Sequence, residues 1–365
     1  MTIDFFVVSL QNIMSDIFVP ALLKWFEANG RDLPWRHTHD PYAIWLSEVI
    51  LQQTRVIQGQ VYWERFLKAY PTVKDLAAAS EDDVLLLWEG LGYYSRARNL
   101  HQAAQQIVSL GHFPDTPQDL RKLKGIGPYT AAAVSSFAFG IPIAAVDGNV
   151  YRVLSRFMGI DTPINSTEGK ALFSQLAQSL IPKDRPADFN QAMMDFGATL
   201  CTPKSPQCTI CPFLETCAAF RSNRVAELPV KLRKTKVLTL RLAYIYIRCS
   251  GEVAIHRRKE GIWQGLWEPL LVDNPTDSSM FSILNGLGGT SILLRKGVRH
   301  VLTHRLIYAD FYLLKVSEKP ELPDGYIWVK ESELGHYALP RLIEILLDTI
   351  RSCDVGEQMK NLQNL

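Results

Sequence analysis

The chain has 365 residues, and 39 Lys and Arg against 37 Asp and Glu leave a net charge of +2. That length suggests two domains or three, and 47% hydrophobic against 21% charged residues excludes a disordered chain. No uncharged apolar run approaches the ~18 residues that a membrane span needs. The Phe5–Leu10 patch is short, follows Asp4 and lacks a basic flank, so it does not read as a signal peptide. Met14 is an alternative start, with residues 1–13 as an extension.

Residues 15 to about 220 read as helices. Asp16 is placed to cap a segment with Val19, Leu22, Leu23 and Phe26 on one face, stopped by Asn29-Gly30. Further runs break at Pro71, Gly90-Leu91-Gly92, Gly111 and Gly140. Ser80-Glu81 and Thr116-Pro117 supply a capping oxygen at helix starts. After about residue 235, Val237–Cys249, Glu252–Arg257, Ile307–Val316 and Tyr326–Lys330 read as strands, and Pro340–Ile350 as a helix. The expectation is an all-α front domain over 14–222 and an α+β back domain over 237–365. Between them, 223–236 is a basic linker, flanked and filled by Arg221, Arg224, Lys231, Arg233, Lys234, Lys236 and Arg241. It is a solvated connector or a strap for a phosphate backbone.

Four motifs carry chemistry. Leu33-Pro34-Trp35-Arg36 precedes Pro41–Arg55, an apolar helix holding Glu48 among Trp45, Leu46, Val49, Ile50 and Leu51. A carboxyl in such surroundings keeps its proton to higher pH and suits a general acid, unless it pairs with Arg36 or Arg55. Gln52-Gln53-Thr54 ends this helix with groups able to bond base edges. Next, Leu123-Lys124-Gly125-Ile126-Gly127-Pro128-Tyr129 sets two glycines before a helix start. Glycine permits φ > 0 and close approach of amides to an anion, and a helix N-terminus adds its dipole. Such a grip positions a protein on DNA without reading bases, although any tight turn between helices looks similar. One helix later comes Asp147, at the start of the run Gly148-Asn149-Val150. It is a helix cap, or a cap that also acts as a carboxylate kept ionised by the helix end. Lastly, Cys201-x6-Cys208-x2-Cys211-x5-Cys217 puts four of the six cysteines in 17 residues. That spacing is for a metal or cluster in a reducing compartment, the cytoplasm, and its uneven intervals favour [4Fe–4S] over zinc.

Taken together, these motifs resemble the helix-hairpin-helix DNA glycosylases with an iron–sulfur loop, and among them the adenine DNA glycosylases (the MutY group), over nearly the whole chain from Met14. The resemblance implies a monomeric, membrane-independent hydrolase acting on double-stranded DNA with adenine opposite 8-oxoguanine or guanine. It places Glu48 as the acid that protonates adenine, Asp147 as the carboxylate facing the sugar cation, and Tyr129 and Asn149 as assistants at the sugar. Trp35, Arg36, Leu51 and Gln191 match the adenine pocket. Gln53 and Tyr93 match residues that fill or wedge the duplex. Thr54 is expected to bond base edges, and Gly125 and Gly127 of the hairpin, with Lys204 of the cysteine loop, are expected to meet phosphates. Relatives that cut the strand carry a lysine where this chain has Tyr129, so no strand cleavage is implied.

The back domain resembles a Nudix-like module through Gly261–Pro269, including Gly265, and through His300–His304. No Glu-Glu pair occurs in the chain, so the resemblance implies the fold without Nudix hydrolysis. In the family a Phe-Ser-His triplet reads 8-oxoguanine; here it is Leu302-Thr303-His304, keeping the hydroxyl and losing the aromatic. A thymine-mismatch or oxidised-pyrimidine glycosylase, and a DNA-binding protein without catalysis, are the competing readings.

Overall fold

A computed structural model describes residues 17–232 and 237–363. Asp16, the 1–13 extension, and Arg233, Lys234 and Lys236 of the basic linker lie outside these residues. The chain forms two compact units, 1–78 with 102–233 and 79–101 with 234–365.

The first unit is helical: α1 (Val19–Asn29), α2 (Pro41–Ile50), α3 (Val56–Ala69) and α4 (Val73–Ala78) precede the excursion into the second unit. The excursion holds α5 (Glu81–Leu87) and the start of α6 (Ser95–Leu110). Then follow α7 (Pro117–Leu120), α8 (Pro128–Phe139), α9 (Gly148–Met158), α10 (Thr167–Leu180), α11 (Pro186–Asp195) and α12 (Ala218–Arg221). Start signals in the sequence act as expected. Ser80 accepts from the Asp83 amide at 3.0 Å and Thr116 from the Asp119 amide at 3.2 Å. Helix α8 is buried from Thr130 to Ser136, and its small side chains let α2 pack closely against it.

In the second unit, β1 (Leu238–Cys249) runs through the middle of a mixed seven-stranded sheet. It pairs in parallel with β6 (Arg305–Val316), while β2 (Glu252–Arg257) and β4 (Leu270–Asp273) share its other side. β5 (Thr290–Leu302) lies beyond β6, and β3 (Trp267–Glu268) and β7 (Tyr326–Lys330) pair with β2. Leu242, Tyr244 and Tyr246 face one apolar layer, capped by Leu342, Leu346 and Ile350 of α14 (Arg341–Gln363). Ala243, Ile245 and Ile247 face another, against Met280 and Leu284 of α13 (Asp277–Leu287). Burial on both faces explains why this strand is a continuous apolar run.

By backbone contacts, residues 79–101 group with the sheet unit. The excursion's ties are specific: Arg257 Nη2 meets Glu81 at 2.9 Å and Asp82 at 3.0 Å. The stretch 223–232 is not a free linker. Leu228 is buried, and Val230 and Leu232 bond back to Ile164 and Asn165. Strand β5 gives little apolar alternation in the sequence, because its side chains are mostly exposed and Arg295, Lys296, Arg299 and His300 interrupt its aliphatic residues.

Candidate active site

Asp40 caps α2, accepting from the amides of Tyr42 at 3.1 Å and Ala43 at 3.3 Å. The helix is buried from Tyr42 to Ile50, so Glu48, 6% exposed, is carried into the core. Its carboxyl is pushed up to about 7, chiefly by burial and further by Asp147, against the Tyr129 hydrogen bond and Arg36. The Tyr129 hydroxyl donates to Glu48 Oε2 at 2.8 Å from the first turn of α8. Among the described residues Glu48 makes no ion pair. Arg36 instead forks Asp195 with two 2.8 Å bonds, so the paired-glutamate alternative does not hold.

Asp147 is the cap of α9 and accepts from the amides of Asn149 at 2.8 Å and Val150 at 2.9 Å. The Asn149 side chain donates to its other oxygen at 2.7 Å. Contrary to the simple expectation of a carboxylate held low by a helix end, burial drives Asp147 upward, and these bonds and Arg152 pull it back. The contrast with Glu48 lies in the donors. Glu48 accepts one neutral hydroxyl, whereas Asp147 accepts two backbone amides and an amide side chain; each carboxyl has one guanidinium nearby. Of two carboxyls in one cavity, Asp147 has more hydrogen-bond donors to support a negative charge, and burial favours the proton on Glu48.

The cavity has a volume of about 500 Å³. Glu48, Asp147, Tyr129 and Asn149 line it, with Trp35, Arg36, Leu51 and Gln191 and, at the end of α2, Gln53 and Thr54. Ten residues scattered from position 35 to 191 thus converge. Gln53 holds a left-handed backbone, φ 59°, which is strained for a non-glycine residue.

Several supports were not read from the sequence. Asp195 is fully buried between Arg31 and Arg36, which bring its carboxyl below the ordinary range despite burial. Asn190, 1% exposed, accepts from the Ala145 amide and donates to the Ile143 carbonyl and Ser136, fixing the segment that delivers Asp147. Gly197 is required by contact: a Cβ there would stand 2.5 Å from that of Asn149. Arg152 joins Asn149 Oδ1 at 2.7 Å to the Cys201 carbonyl at 2.8 Å. A buried Asn, Asp or Arg carries no periodic signal, and only its partners reveal its task.

Cys201, Cys208, Cys211 and Cys217 line one small cavity together with Arg156, whose Nη1 lies 3.4 Å from Cys201 Sγ. Among the described residues no three His, Cys, Asp or Glu side chains stand close enough to hold a single ion. Four thiols on one loop are a donor set that would suit an iron–sulfur cluster or a zinc ion. Burial pushes the Cys211 thiol up to about 12. Lys204 is exposed on this loop.

The hairpin glycines stand apart from the cavity. Gly125 turns at φ 76°, and Gly127 caps α8 with open space where a side chain would be. Tyr93, Thr303 and His304 lie in the second unit, lining a cleft of about 470 Å³. There the Tyr93 and Thr303 hydroxyls hydrogen-bond to each other. Arg96 lies over the Trp88 and Tyr93 rings and donates to the Leu91 and Gly92 carbonyls, shaping the Tyr93 loop. Gly265 is not on the cleft wall. It is buried at φ 86°, where a Cβ would meet Leu85 at 3.1 Å.

Residues 46–179 match the HhH-GPD superfamily of base excision DNA repair proteins, and residues 243–349 match a NUDIX domain. The adenine DNA glycosylase of Buchnera aphidicola subsp. Acyrthosiphon pisum is 31% identical, over 92% of this chain and 98% of that one. The chain belongs to the adenine DNA glycosylase family. The Arabidopsis thaliana adenine DNA glycosylase is 36% identical over 71% of this chain. This family member spans about half the length of its plant and mammalian relatives, 48% of the Arabidopsis, 46% of the mouse and 39% of the human protein. A thermostable thymine-DNA glycosylase structure superposes with a TM-score of 0.54 at 31% identity, covering 58% of this chain and 98% of that one.

Proposed function

We propose that this chain is a monofunctional glycosylase that hydrolyses the N-glycosidic bond of adenine mispaired with 8-oxoguanine or guanine in double-stranded DNA. The observation that supports this most is the single cavity shared by Glu48, a carboxyl that keeps its proton to about pH 7, and Asp147, a carboxyl whose charge Asn149, Val150 and Arg152 stabilise. A duplex base must leave its stack to enter such a cavity, at a cost of a few kcal/mol. Glu48 then gives its proton to the adenine ring, and the C1′–N9 electron pair leaves with the base. Asp147 faces the sugar cation that remains, and water completes the reaction at C1′, returning a proton to the site.

The cysteine loop supports the reaction indirectly. Cys201, Cys208, Cys211 and Cys217 would hold a [4Fe–4S] cluster, which when bound supplies a cross-link that orders the loop bearing Lys204. The purified chain is expected to be brown and to carry about four irons. Cys211→Ser should lower cofactor content and DNA binding before it changes the chemical step. A colourless protein holding stoichiometric zinc would overturn the cluster assignment.

Single-turnover release of adenine opposite 8-oxoguanine, guanine and cytosine tests the whole reading, with preference for the first pair expected. Release of thymine or an oxidised pyrimidine, with adenine left intact, would favour the competing glycosylases. Tyr129 has no amine to attack the sugar, so borohydride should trap only a trace of covalent DNA adduct on this chain. Trapping as efficient as that of a strand-cleaving glycosylase would refute the monofunctional assignment.

A further inference from the structure

The cleft in the second unit presents aromatic surface from Tyr93, Tyr94 and Trp263 beside Leu302, Thr303 and His304. Two of these aromatics hold a left-handed backbone, Tyr93 at φ 46° and Trp263 at φ 63°. Such a conformation is strained for a bulky side chain and persists only where its surroundings over-determine it.

Those surroundings are visible at Trp263. The Trp263 carbonyl accepts from Leu266 at 3.0 Å, and Gly265 donates to the Arg258 carbonyl at 2.8 Å. Arg98 holds the intervening Gln264 side chain at 3.1 Å, and Gly265 sits against Leu85. The loop is therefore pinned on both sides of the indole. Trp263 is partly buried, and its ring meets His300 edge-on with centroids 5.8 Å apart. By contrast Trp267, four residues on, packs against Tyr337 at 5.1 Å and is absent from the cleft wall.

A planar base reaching for the Thr303 hydroxyl finds an aliphatic neighbour in Leu302. Tyr93 is already tied to Thr303 through its own hydroxyl. Trp263 stands partly buried on the wall of this cleft, and Arg98 and Arg305 add positive charge there, suited to the flanking phosphates.

We infer that Trp263 stacks on the base standing opposite the excised adenine and, with Thr303, sets which base is accepted there. This rests on the glycosylase reading above. The test compares the parent chain, Trp263→Ala, Trp263→Phe, and Trp263→Ala combined with Leu302→Phe. Each is assayed for single-turnover adenine release opposite 8-oxoguanine and opposite guanine, with thermal melting recorded in parallel. Trp263→Ala should reduce the preference for 8-oxoguanine about tenfold, in line with the loss of one base–aromatic stack. Trp263→Phe should keep most of the preference, and Leu302→Phe should restore part of it from its own place on the cleft wall. An unchanged preference in Trp263→Ala, an equal fall on both pairs, or no rescue by either phenylalanine overturns the assignment. If the parent chain releases adenine from neither pair, the glycosylase reading itself fails and takes this assignment with it.

Discussion

Glu48→Gln is expected to slow adenine release about a thousandfold while leaving mismatch binding close to that of the parent, because glutamine keeps the shape and loses the proton. The carboxyl is buried, accepts one hydrogen bond from Tyr129, and has been pushed up to about 7. The reaction uses its protonated form, so the parent rate should fall as pH rises through about 7, and the residual rate of Glu48→Gln should lack that limb. Stability moves with the same proton. The folded pKa lies above the unfolded value of 4.5, so the folded chain binds more protons in between and loses stability as pH climbs from 4.5 to about 7. Glu48→Gln removes that loss and should melt above the parent at pH 8. Full activity in the variant, or a pH limb that survives the change, would release Glu48 from its assigned role.

Asp147→Asn separates the two tasks that one side chain performs. Asparagine caps a helix about as well as aspartate, so the bonds from Asn149 and Val150 amides can be kept. The bond from the Asn149 side chain cannot, since an amide NH2 would face another donor and Asn149 Oδ1 is already taken by Arg152. Loss of that bond should cost about 1 kcal/mol of stability. The charge facing the sugar disappears as well, and adenine release should fall about 100- to 1,000-fold. Denaturant melting and single-turnover kinetics on the same preparation distinguish the outcomes. A kinetic loss no larger than the stability loss predicts would leave Asp147 as a cap alone.

The same helix shows how far support reaches. Arg152 spans from Asn149 to the Cys201 carbonyl, and Arg156 continues to Cys201 Sγ and the carbonyls of Thr202 and Leu228. Neither guanidinium could be assigned from sequence, where both look like the polar side of an amphipathic helix. Their burial makes each bond costly to leave unmade.

By itself the sequence determined the composition of both units, the helix starts at Ser80 and Thr116, the core strands β1, β2, β6 and β7, and the residue types of the cavity. Those properties are local: a capping oxygen, a buried apolar run or a spaced set of thiols acts within a few residues of itself. Only the tertiary structure decided that Glu48 meets Tyr129 rather than an arginine, that Asp195 claims Arg36, and that residues 79–101 leave their sequence neighbours for the sheet. Each of these is a choice among partners far apart in the chain. Such choices follow from which groups burial leaves within hydrogen-bonding reach, a quantity that exists only once the chain has closed on itself.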